Sequence, residues 1–537
     1  MAAPGFRKEI FSELRASLPA QLPAYLKKQR WFGAKAREFS STEVFDVISL
    51  RRHSFEALIV VVRVQYQGGG SDLYSIPLVS ADPSAAANAD GATSPALSLS
   101  DKDGDKKLFL IDALKDDDFL SLLLDAFHRD LVFRGEAGEI QASRTHALSL
   151  QETGAVGSLQ PRPMKAEQSN SSIAYGDRFM LKFFRRLEEG DNPDLEVGGF
   201  LTTKANYQQT PQLLGSLLYL SGAGKRMTQG ILQAYVPNHG DAWNYTMKSI
   251  SNFYYAVAES ASRRPPSLPE NLPENARESL MKFLDSATLL ARRTAEMHLA
   301  LASDEHDPAF GPEMFDAKFQ QNFEHSLLQL TQRVFAELRD AENRLPENVA
   351  PKAQEVLSRE PEITQRFKSA LSHPLHALRT RIHGDYHLGQ VLYTGADFMI
   401  IDFEGEPARP LSERRLKRSP LQDVAGMLRS FHYAAHAPLL TSEGTANIPE
   451  SVKVDLNPWA EAWAAWVSDR FLTEYLRVAH TAPFLPSRAE ELNSLLQLYV
   501  LEKAVYELGY ELNNRPAWVA IPLEGISKAL ASYSTDH

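Results

Sequence analysis

The hydrophobic pattern of this chain changes character near residue 237, and that change limits the folds it can adopt. Before it, β-branched residues form short runs with period-two stretches, which favours strands. After "PNHGDAW" (237–243), apolar residues recur at helical spacing over long stretches. These stretches are 276–303, 315–342, 348–372, 420–437, 457–478 and 487–513. We therefore predict an α+β fold with a β-rich front part, a short connector and a mostly helical back half.

Shifts in composition along the chain predict three domains. An N-terminal cap subdomain covers residues 1–135 and opens with a helical pattern over 7–30. A β-rich N-lobe follows at 136–237, and a helical C-lobe with the catalytic and acceptor sites occupies 238–537. Residues 81–107 are small and polar with few large apolar side chains, so they cannot bury enough surface to order firmly. We predict that they form a mobile insertion.

Two local patterns in the front part make specific structural predictions. The stretch "QGGGSD" (67–72) separates two strand-like runs, so we predict a hairpin turn there. A phosphate-binding glycine loop should instead open a helix. The stretch "RTHALSL" (144–150) is predicted to be a strand.

Composition excludes several classes of site and partner. The formal charge of −11 offers no footprint for nucleic acid or for an anionic membrane. Cysteine is absent, which excludes disulfides, thiol nucleophiles and cysteine-bound metals. The first residues lack the apolar centre of a signal peptide, and no run reaches the roughly 20 apolar residues of a membrane helix. We expect a cytoplasmic protein with no nucleic-acid or membrane partner.

Two stretches, "RIHGDYHLGQ" (381–390) and "MIIDFEGEP" (399–407), have the residue types that phosphoryl transfer from ATP requires. Asp385 is the predicted catalytic base for an acceptor hydroxyl. Gln390, five residues later, can bind Mg²⁺ through its amide oxygen without adding negative charge, whereas Asp402 adds a full carboxylate. Their order and separation predict a kinase site that uses ATP and Mg²⁺.

Residues upstream are predicted to hold the nucleotide. Lys182 lies in an apolar strand pattern, and Glu196 follows fourteen residues later at a helical start. The alternatives are an edge-strand surface lysine and a plain helix-terminal charge. In place of a glycine-rich loop, "AEQSNSSIAYGD" (166–177) offers the hydroxyls and backbone N–H groups of Ser169 and Ser171 to phosphate. A polar hairpin turn would look the same.

Two further residues are predicted to hold the catalytic loop in position without taking part in the reaction. Asp423, at the start of a helical pattern, is predicted to brace the loop, with a simple helix N-terminal aspartate as the alternative. His383 precedes Asp385 by two positions and is predicted to act in the same supporting way. The basic segment 408–420 favours a solvated loop, although phosphate or substrate binding is the other interpretation.

The motifs "HGDYHLGQ", "IDFEGEP" and "SPLQDVAGMLRSFHYAA", the carboxyl-terminal "LEKAVYELGYELNNRPAWVAIPLEGI" and the amino-terminal "QRWFGAK" resemble those of maltokinases. Aminoglycoside phosphotransferases share the kinase motifs alone. The resemblance implies a bilobal, protein-kinase-like fold with an N-terminal cap, and ATP-dependent phosphorylation of maltose at its anomeric hydroxyl. The implied product is maltose 1-phosphate, which feeds α-glucan synthesis. The resemblance supports Asp385 as base, Gln390 and Asp402 as Mg²⁺ ligands and Lys182 as the phosphate lysine. It also suggests association with a trehalose synthase.

The acceptor pocket is predicted from the carboxyl-terminal motif. Tyr506 and Tyr510 are four residues apart and share a helix face, and Arg515 follows them, so sugar rings and hydroxyls find suitable partners. Core packing is the alternative for the same aromatic stripe. Two other functions stay open: phosphorylation of a cationic acceptor such as an aminoglycoside or a choline-like compound, and nucleotide binding without turnover.

Overall fold

The computed structural model describes residues 8–81, 97–100, 107–150, 159–164, 170–260, 264–440 and 456–532. Contacts divide the chain into two compact units, one of residues 1–202 with 211–237 and one of residues 203–210 with 238–537. The change of unit after Pro237 coincides with the change in hydrophobic pattern. The cap boundary near residue 135 does not separate compact units and stays a prediction.

The first unit begins with helix α1 (Lys8–Lys28), which packs its leucines on an antiparallel sheet. The sheet order is β1-β2-β3-β5-β4, with β11 beside β3. The strands are β1 (Phe39–Arg52), β2 (Phe55–Tyr66), β3 (Ser71–Ala81), β4 (Leu97–Ser100), β5 (Lys107–Asp112) and β11 (Arg186–Leu187). The predicted hairpin at "QGGGSD" is confirmed, because Gly68, Gly69 and Gly70 all take positive φ between β2 and β3.

The predicted insertion at 81–107 is wrong in part. Residues 97–100 form β4 and pair with β5, since Leu97 and Leu99 are buried in the core beneath α1. Residues 82–96 and 101–106 lie outside the described part of the chain, so the prediction of mobility stays untested there.

The second sheet of this unit is also antiparallel, with the order β6-β7-β12-β13-β10-β9-β8. Its strands are β6 (Val132–Arg134), β7 (Gly138–Arg144), β8 (Pro161–Pro163), β9 (Asn170–Tyr175), β10 (Phe179–Phe184), β12 (Leu213–Ser221) and β13 (Arg226–Ala234). The helices here are α2 (Asp117–Arg129), α3 (His146–Leu150) and α4 (Pro193–Thr203). The strand predicted over 144–150 is wrong: β7 ends at its first residue, and Thr145 then bonds to the carbonyls of Leu213 and Leu214 as α3 begins.

A buried carboxylate joins the two sheets of the first unit. Asp46, on β1, is fully buried and accepts hydrogen bonds from the backbone N–H groups of Glu136 and Ala137 at 2.8 and 2.9 Å. It also accepts one from the Tyr219 hydroxyl of β12 at 2.9 Å. These donors satisfy the buried, acceptor-only carboxylate, and the carboxylate in turn gives the buried Tyr219 hydroxyl its partner.

We expect Asp46→Ala to lower the free energy of unfolding of this unit by about 3 kcal/mol, because the buried Tyr219 hydroxyl and two backbone N–H groups lose their charged acceptor. Urea unfolding followed by circular dichroism measures this change. Asp177→Ala is the control, since Asp177 lies exposed in the turn between β9 and β10. Equal unfolding midpoints for the two variants would contradict the role of Asp46.

The second unit is mostly helical. Its helices are α5 (Ala242–Ala258), α6 (Glu274–Leu301), α7 (Ala317–Ala341), α8 (Ala350–Ser358), α9 (Glu360–Ala370), α10 (Leu411–Arg414), α11 (Leu421–Leu440), α12 (Asn457–Val478), α13 (Ala489–Asn514) and α14 (Ala520–Ser532). Two small antiparallel sheets accompany them. One pairs β14 (Glu313–Met314) with β15 (Leu378–Arg379), and the other is a hairpin of β16 (Val391–Tyr393) and β17 (Phe398–Ile400).

The single helix predicted over 348–372 is two helices in the structure. The break falls at Arg359, between α8 and α9, and Pro361 lies in the first turn of α9. Proline lacks an N–H and its ring obstructs the preceding turn, so a helix starts with it more readily than it continues through it. The other five predicted helices match α6, α7, α11, α12 and α13 within three residues at each end.

Large aromatic side chains form the core between α5, α6 and α12. Trp459 and Trp463 are buried, with ring centres 6.2 Å from Phe253 and 4.9 Å from Phe283 respectively. No helix in the described residues has the length and apolarity needed to cross a membrane.

Candidate active site

The predicted catalytic loop lies between β15 and the short turn Leu388–Gln390 in the second unit. His383 is buried, and its Nε2 lies 2.8 Å from the carbonyl oxygen of Ile401. Because a carbonyl oxygen can only accept, Nε2 carries the proton and Nδ1 is free to accept from the Asp385 backbone N–H at 3.4 Å. His383 therefore ties the loop that holds Asp385 to the segment that holds Asp402.

Two glycines let these segments approach each other closely. Gly384 has a φ of 84° and Gly405 a φ of 69°, both in the left-handed region. A Cβ on Gly384 would lie 3.2 Å from the Cα of Gly405. Glycine at position 384 thus serves both the backbone conformation and the close contact.

Asp423 lies against the catalytic loop. Its buried carboxylate, in the first turn of α11, accepts hydrogen bonds from the backbone N–H groups of His383 at 2.8 Å and Gly384 at 2.9 Å. It also accepts from His298 Nε2 at 3.0 Å, and the other nitrogen of that ring lies 2.9 Å from the Tyr475 hydroxyl. The carboxylate has the contacts that the predicted brace requires, and its effect on catalysis stays a prediction.

Asp385 borders a cavity of about 790 Å³. Its Oδ1 lies 3.5 Å from Lys503 Nζ, and its Oδ2 lies 4.0 Å from His387 Nε2. Burial lowers the pKa of His387, so this imidazole is neutral near pH 7. The carboxylate of Asp385 thus faces a space large enough for a small-molecule acceptor, as a base must.

The hairpin of β16 and β17 brings the backbone of Gln390 beside that of Ile401, one residue before Asp402. The Ile401 N–H donates to the Gln390 carbonyl at 3.0 Å, so Asp402 follows directly after the residue opposite Gln390. Asp402 has a φ of 66°, a conformation that Asp and Asn tolerate better than other side chains. Carboxylate oxygens of Asp402 and Glu404 lie within 4.8 Å of each other. These oxygen donors fit a hard cation such as Mg²⁺.

The nucleotide residues predicted upstream lie in the first unit. Lys182, on β10, is buried, and its Nζ lies 2.8 Å from Oδ2 of Asp194, which is fully buried in the first turn of α4. Glu196, two residues further along α4, was predicted as the carboxylate that accompanies Lys182, and Asp194 was missed. The spacing alone cannot choose between two acidic residues on one turn. The role of Glu196 stays a prediction.

Part of the serine loop that was predicted to cover phosphate (166–177) is a strand in the structure. Ser171 lies in strand β9, in register with Phe183, and its hydroxyl oxygen accepts from Arg185 Nε at 3.1 Å. Strand β9 begins at Asn170, within the predicted loop. Ser169 lies outside the described residues.

Aromatic rings line much of the cavity in the second unit. Tyr506 and Tyr510, both predicted, are among them. Trp243, Tyr433 and Trp518 are the others, and the rings of Tyr433 and Trp518 are stacked 6.3 Å apart. Ring faces of this kind pack against the apolar faces of sugars and give the cavity a shape suited to them.

The cavity wall also contains charged side chains, and several of them form pairs with an oppositely charged or hydroxyl group. Glu507 accepts from Arg429 Nε at 2.8 Å, and Glu511 accepts from Arg515 through both oxygens at 2.6 and 3.0 Å. Glu406 accepts from the Tyr506 hydroxyl, and burial raises the pKa of this carboxyl. Arg515, predicted from the sequence, thus lines the cavity while its guanidinium is bound to Glu511.

Several cavity residues were missed by the prediction, although a signal for them exists on α13. Residues 503, 506, 507, 510, 511 and 514 recur at intervals of three and four and all line the cavity. This spacing puts them on one helix face. A polar stripe on a helix otherwise rich in leucine would have identified Lys503, Glu507 and Glu511.

Parts of the chain are similar in sequence to known proteins. Residues 25–116 match the family model of the maltokinase N-terminal cap domain. A glucosamine kinase of Streptacidiphilus jiangxiensis is 22% identical over 376 residues, which cover 69% of this chain and 73% of that protein. A glucosamine kinase of Mycolicibacterium smegmatis (strain ATCC 700084 / mc(2)155) is 22% identical over 364 residues, covering 67% of this chain and 77% of that protein.

Solved structures share the fold. A glucosamine kinase in complex with glucosamine, ADP and inorganic phosphate matches with a TM-score of 0.59 at 18% identity, over 98% of this chain and 99% of that chain. Crystal form B of glucosamine kinase matches with a TM-score of 0.62 at 19% identity, over 96% and 99% of the two chains. The fold prediction is confirmed. The chain is thus similar to a maltokinase cap domain over residues 25–116, and it shares its fold with glucosamine kinases.

Proposed function

We propose that this protein is an ATP-dependent sugar kinase that phosphorylates the anomeric hydroxyl of maltose and produces maltose 1-phosphate for α-glucan synthesis. The observation that carries the proposal is the position of Asp385 at the wall of a 790 Å³ cavity lined by aromatic rings and paired charges. The match of residues 25–116 to a maltokinase cap supports maltose as the acceptor.

In the proposed reaction, Asp385 accepts the proton of the acceptor hydroxyl as its oxygen bonds to the γ-phosphorus. The bond from that phosphorus to the bridging oxygen breaks, and its electron pair stays on ADP. Gln390 and Asp402 would hold Mg²⁺, which supplies positive charge beside the phosphates when bound. Lys182 would bind phosphate oxygens from the first unit.

The cavity suits a disaccharide for two reasons. Its volume of about 790 Å³ lies well within the range of small-molecule sites and exceeds what one sugar ring occupies. The aromatic side chains of Tyr433, Tyr506, Tyr510 and Trp518 offer more than one ring face. Carboxylates that are already paired with cations can bind neutral hydroxyls without demanding a positive charge from the acceptor.

An amino sugar is the second candidate acceptor. Five carboxylates border the cavity, namely Asp241, Asp385, Glu406, Glu507 and Glu511, against the two cations Lys503 and Arg515 among its described lining residues. This excess favours a cationic acceptor. The curated relatives are glucosamine kinases, which supports the same candidate.

Incubation with ATP, Mg²⁺ and a panel of acceptors separates these candidates through a coupled ADP assay. We expect maltose to give the highest kcat/KM, at least tenfold above glucose, glucosamine, an aminoglycoside or choline. A single sugar ring or choline leaves much of the cavity empty, and the paired carboxylates suit the neutral hydroxyls of maltose better than the several ammonium groups of an aminoglycoside. Phosphorus NMR of the product should show a phosphate on the anomeric carbon. A higher kcat/KM for glucosamine would favour the amino sugar, and no acceptor-dependent ADP with any sugar would contradict both candidates.

A further inference from the structure

A lysine on α13 faces the predicted catalytic base. Lys503 Nζ lies 3.5 Å from Asp385 Oδ1 and 3.9 Å from Glu406 Oε2, so one ammonium bridges carboxylates from two segments. The same Nζ lies 4.9 Å from the centre of the Tyr506 ring. All four side chains line the same cavity.

The environment of Lys503 keeps its ammonium charged. Burial alone would lower the pKa of Lys503, but the carboxylates of Asp385, Glu406 and Glu507 outweigh this effect and raise it above its ordinary value. The side chain is 24% exposed, and it lines the cavity rather than a sealed core. The ammonium can therefore contact a ligand that enters.

The other cations around the cavity are already committed. Arg515 binds both oxygens of Glu511, and Arg429 binds Glu507. His387, two residues after Asp385, is neutral because burial lowers its pKa. Among the cavity-lining residues that the structure describes, Lys503 is thus the charged cation in contact with the predicted base.

We propose that Lys503 is a catalytic residue that contacts the transferring phosphoryl group from the acceptor side and offsets its negative charge. This inference rests on the proposed phosphoryl transfer. The moving group carries charge on its equatorial oxygens, and fixed cations near it lower the barrier. A fixed ammonium beside Asp385 would act on the side of this group where the acceptor hydroxyl attacks.

The chemistry of the step stays balanced without a proton from Lys503. The acceptor oxygen bonds to the γ-phosphorus, its proton passes to Asp385, and the electron pair of the broken bond leaves with ADP. Lys503 keeps its proton throughout and acts through charge and hydrogen bonding. Its bridge to Glu406 holds the ammonium near Asp385 before the acceptor enters.

The test compares Lys503→Met, which keeps the length and removes the charge, with Lys503→Arg, which keeps the charge. We expect Lys503→Met to lower kcat about 100-fold while the KM for ATP changes less than threefold, because the contact forms in the transition state. The kcat of Lys503→Arg should be at least tenfold higher than that of Lys503→Met. Lys282→Met, an exposed lysine on α6, is the matched control.

A second readout isolates binding of the transferring group. ADP with aluminium fluoride mimics that group, and its affinity in the presence of the acceptor should fall about 100-fold in Lys503→Met, while ADP alone binds as before. If Lys503→Met does not fold, Lys503→Gln serves in the same measurement. Unchanged kcat and unchanged analogue affinity would overturn the role of Lys503, whereas an inactive wild-type protein would overturn the proposed function instead.

Discussion

Asp385→Asn is expected to lower kcat by about 10³-fold while ATP affinity changes less than threefold. The amide keeps the size of the carboxylate but cannot accept the proton of the acceptor hydroxyl. The nucleotide does not need this proton acceptor, so its binding should persist. Steady-state kinetics with maltose give kcat, and isothermal titration calorimetry with ATP and Mg²⁺ gives the affinity.

The matched control for this change is Asp316→Asn. Asp316 caps α7 by accepting from the Phe319 N–H at 2.7 Å, and asparagine caps helices equally well. The control is therefore the same substitution at a distance from the cavity, and its kcat should equal that of the wild type. A kcat within tenfold of the wild-type value for Asp385→Asn would remove this residue from the role of base.

Asp402→Asn is expected to lower kcat/KM by about 10³-fold, because the proposed metal ligand loses its negative charge. Asparagine tolerates the left-handed backbone conformation at φ 66°, so the loop should keep its shape. Titration of activity with MgCl₂ should show a half-saturation point raised at least tenfold. The stability of the variant, measured by thermal unfolding without metal, should stay close to that of the wild type.

Asp130→Asn is the matched control for this loop. Asp130 also has a left-handed conformation, with φ 51°, and it lies at the end of α2 in the first unit. Any effect of the substitution on such a backbone conformation would appear in both variants, while loss of a metal ligand appears in one. An unchanged magnesium requirement in Asp402→Asn would sink the ligand assignment.

Two side chains hold the loop that contains Asp385, the predicted base, in place by hydrogen bonds. His383 holds the carbonyl of Ile401, and Asp423 holds the N–H groups of His383 and Gly384. Each of these contacts satisfies a buried polar group, so the geometry costs little to maintain when a substrate enters. These are the contacts that the predicted support of Asp385 by His383 and Asp423 requires, and the role itself stays a prediction.

Much of the fold follows from local patterns. Five long helices of the second unit and the hairpin at 67–72 were predictable, because helical periodicity and glycine turns depend on near neighbours in sequence. The failures are also instructive. Residues 97–100 looked too polar to order, yet Leu97 and Leu99 are enough to bury a short strand under α1. Pro361 was overlooked inside an otherwise continuous helical pattern.

The acceptor half of the site was harder to predict. Tyr506, Tyr510 and Arg515 belong to one motif and could be proposed together. Lys503 belongs to the same helix, but its importance depends on Asp385, more than a hundred residues earlier in the chain. Nothing in the local sequence of either residue indicates this contact.

Residue type and spacing alone were sufficient for many of the elements and for the separation of the predicted site residues Asp385, Gln390 and Asp402, since neighbours along the chain create those patterns. Only the tertiary structure decided which polar side chains meet. It pairs Lys182 with Asp194, Lys503 with Asp385 and Asp46 with Tyr219. The physical reason is that a buried charge needs a partner, and packing selects that partner from many acidic and basic residues spread along the chain.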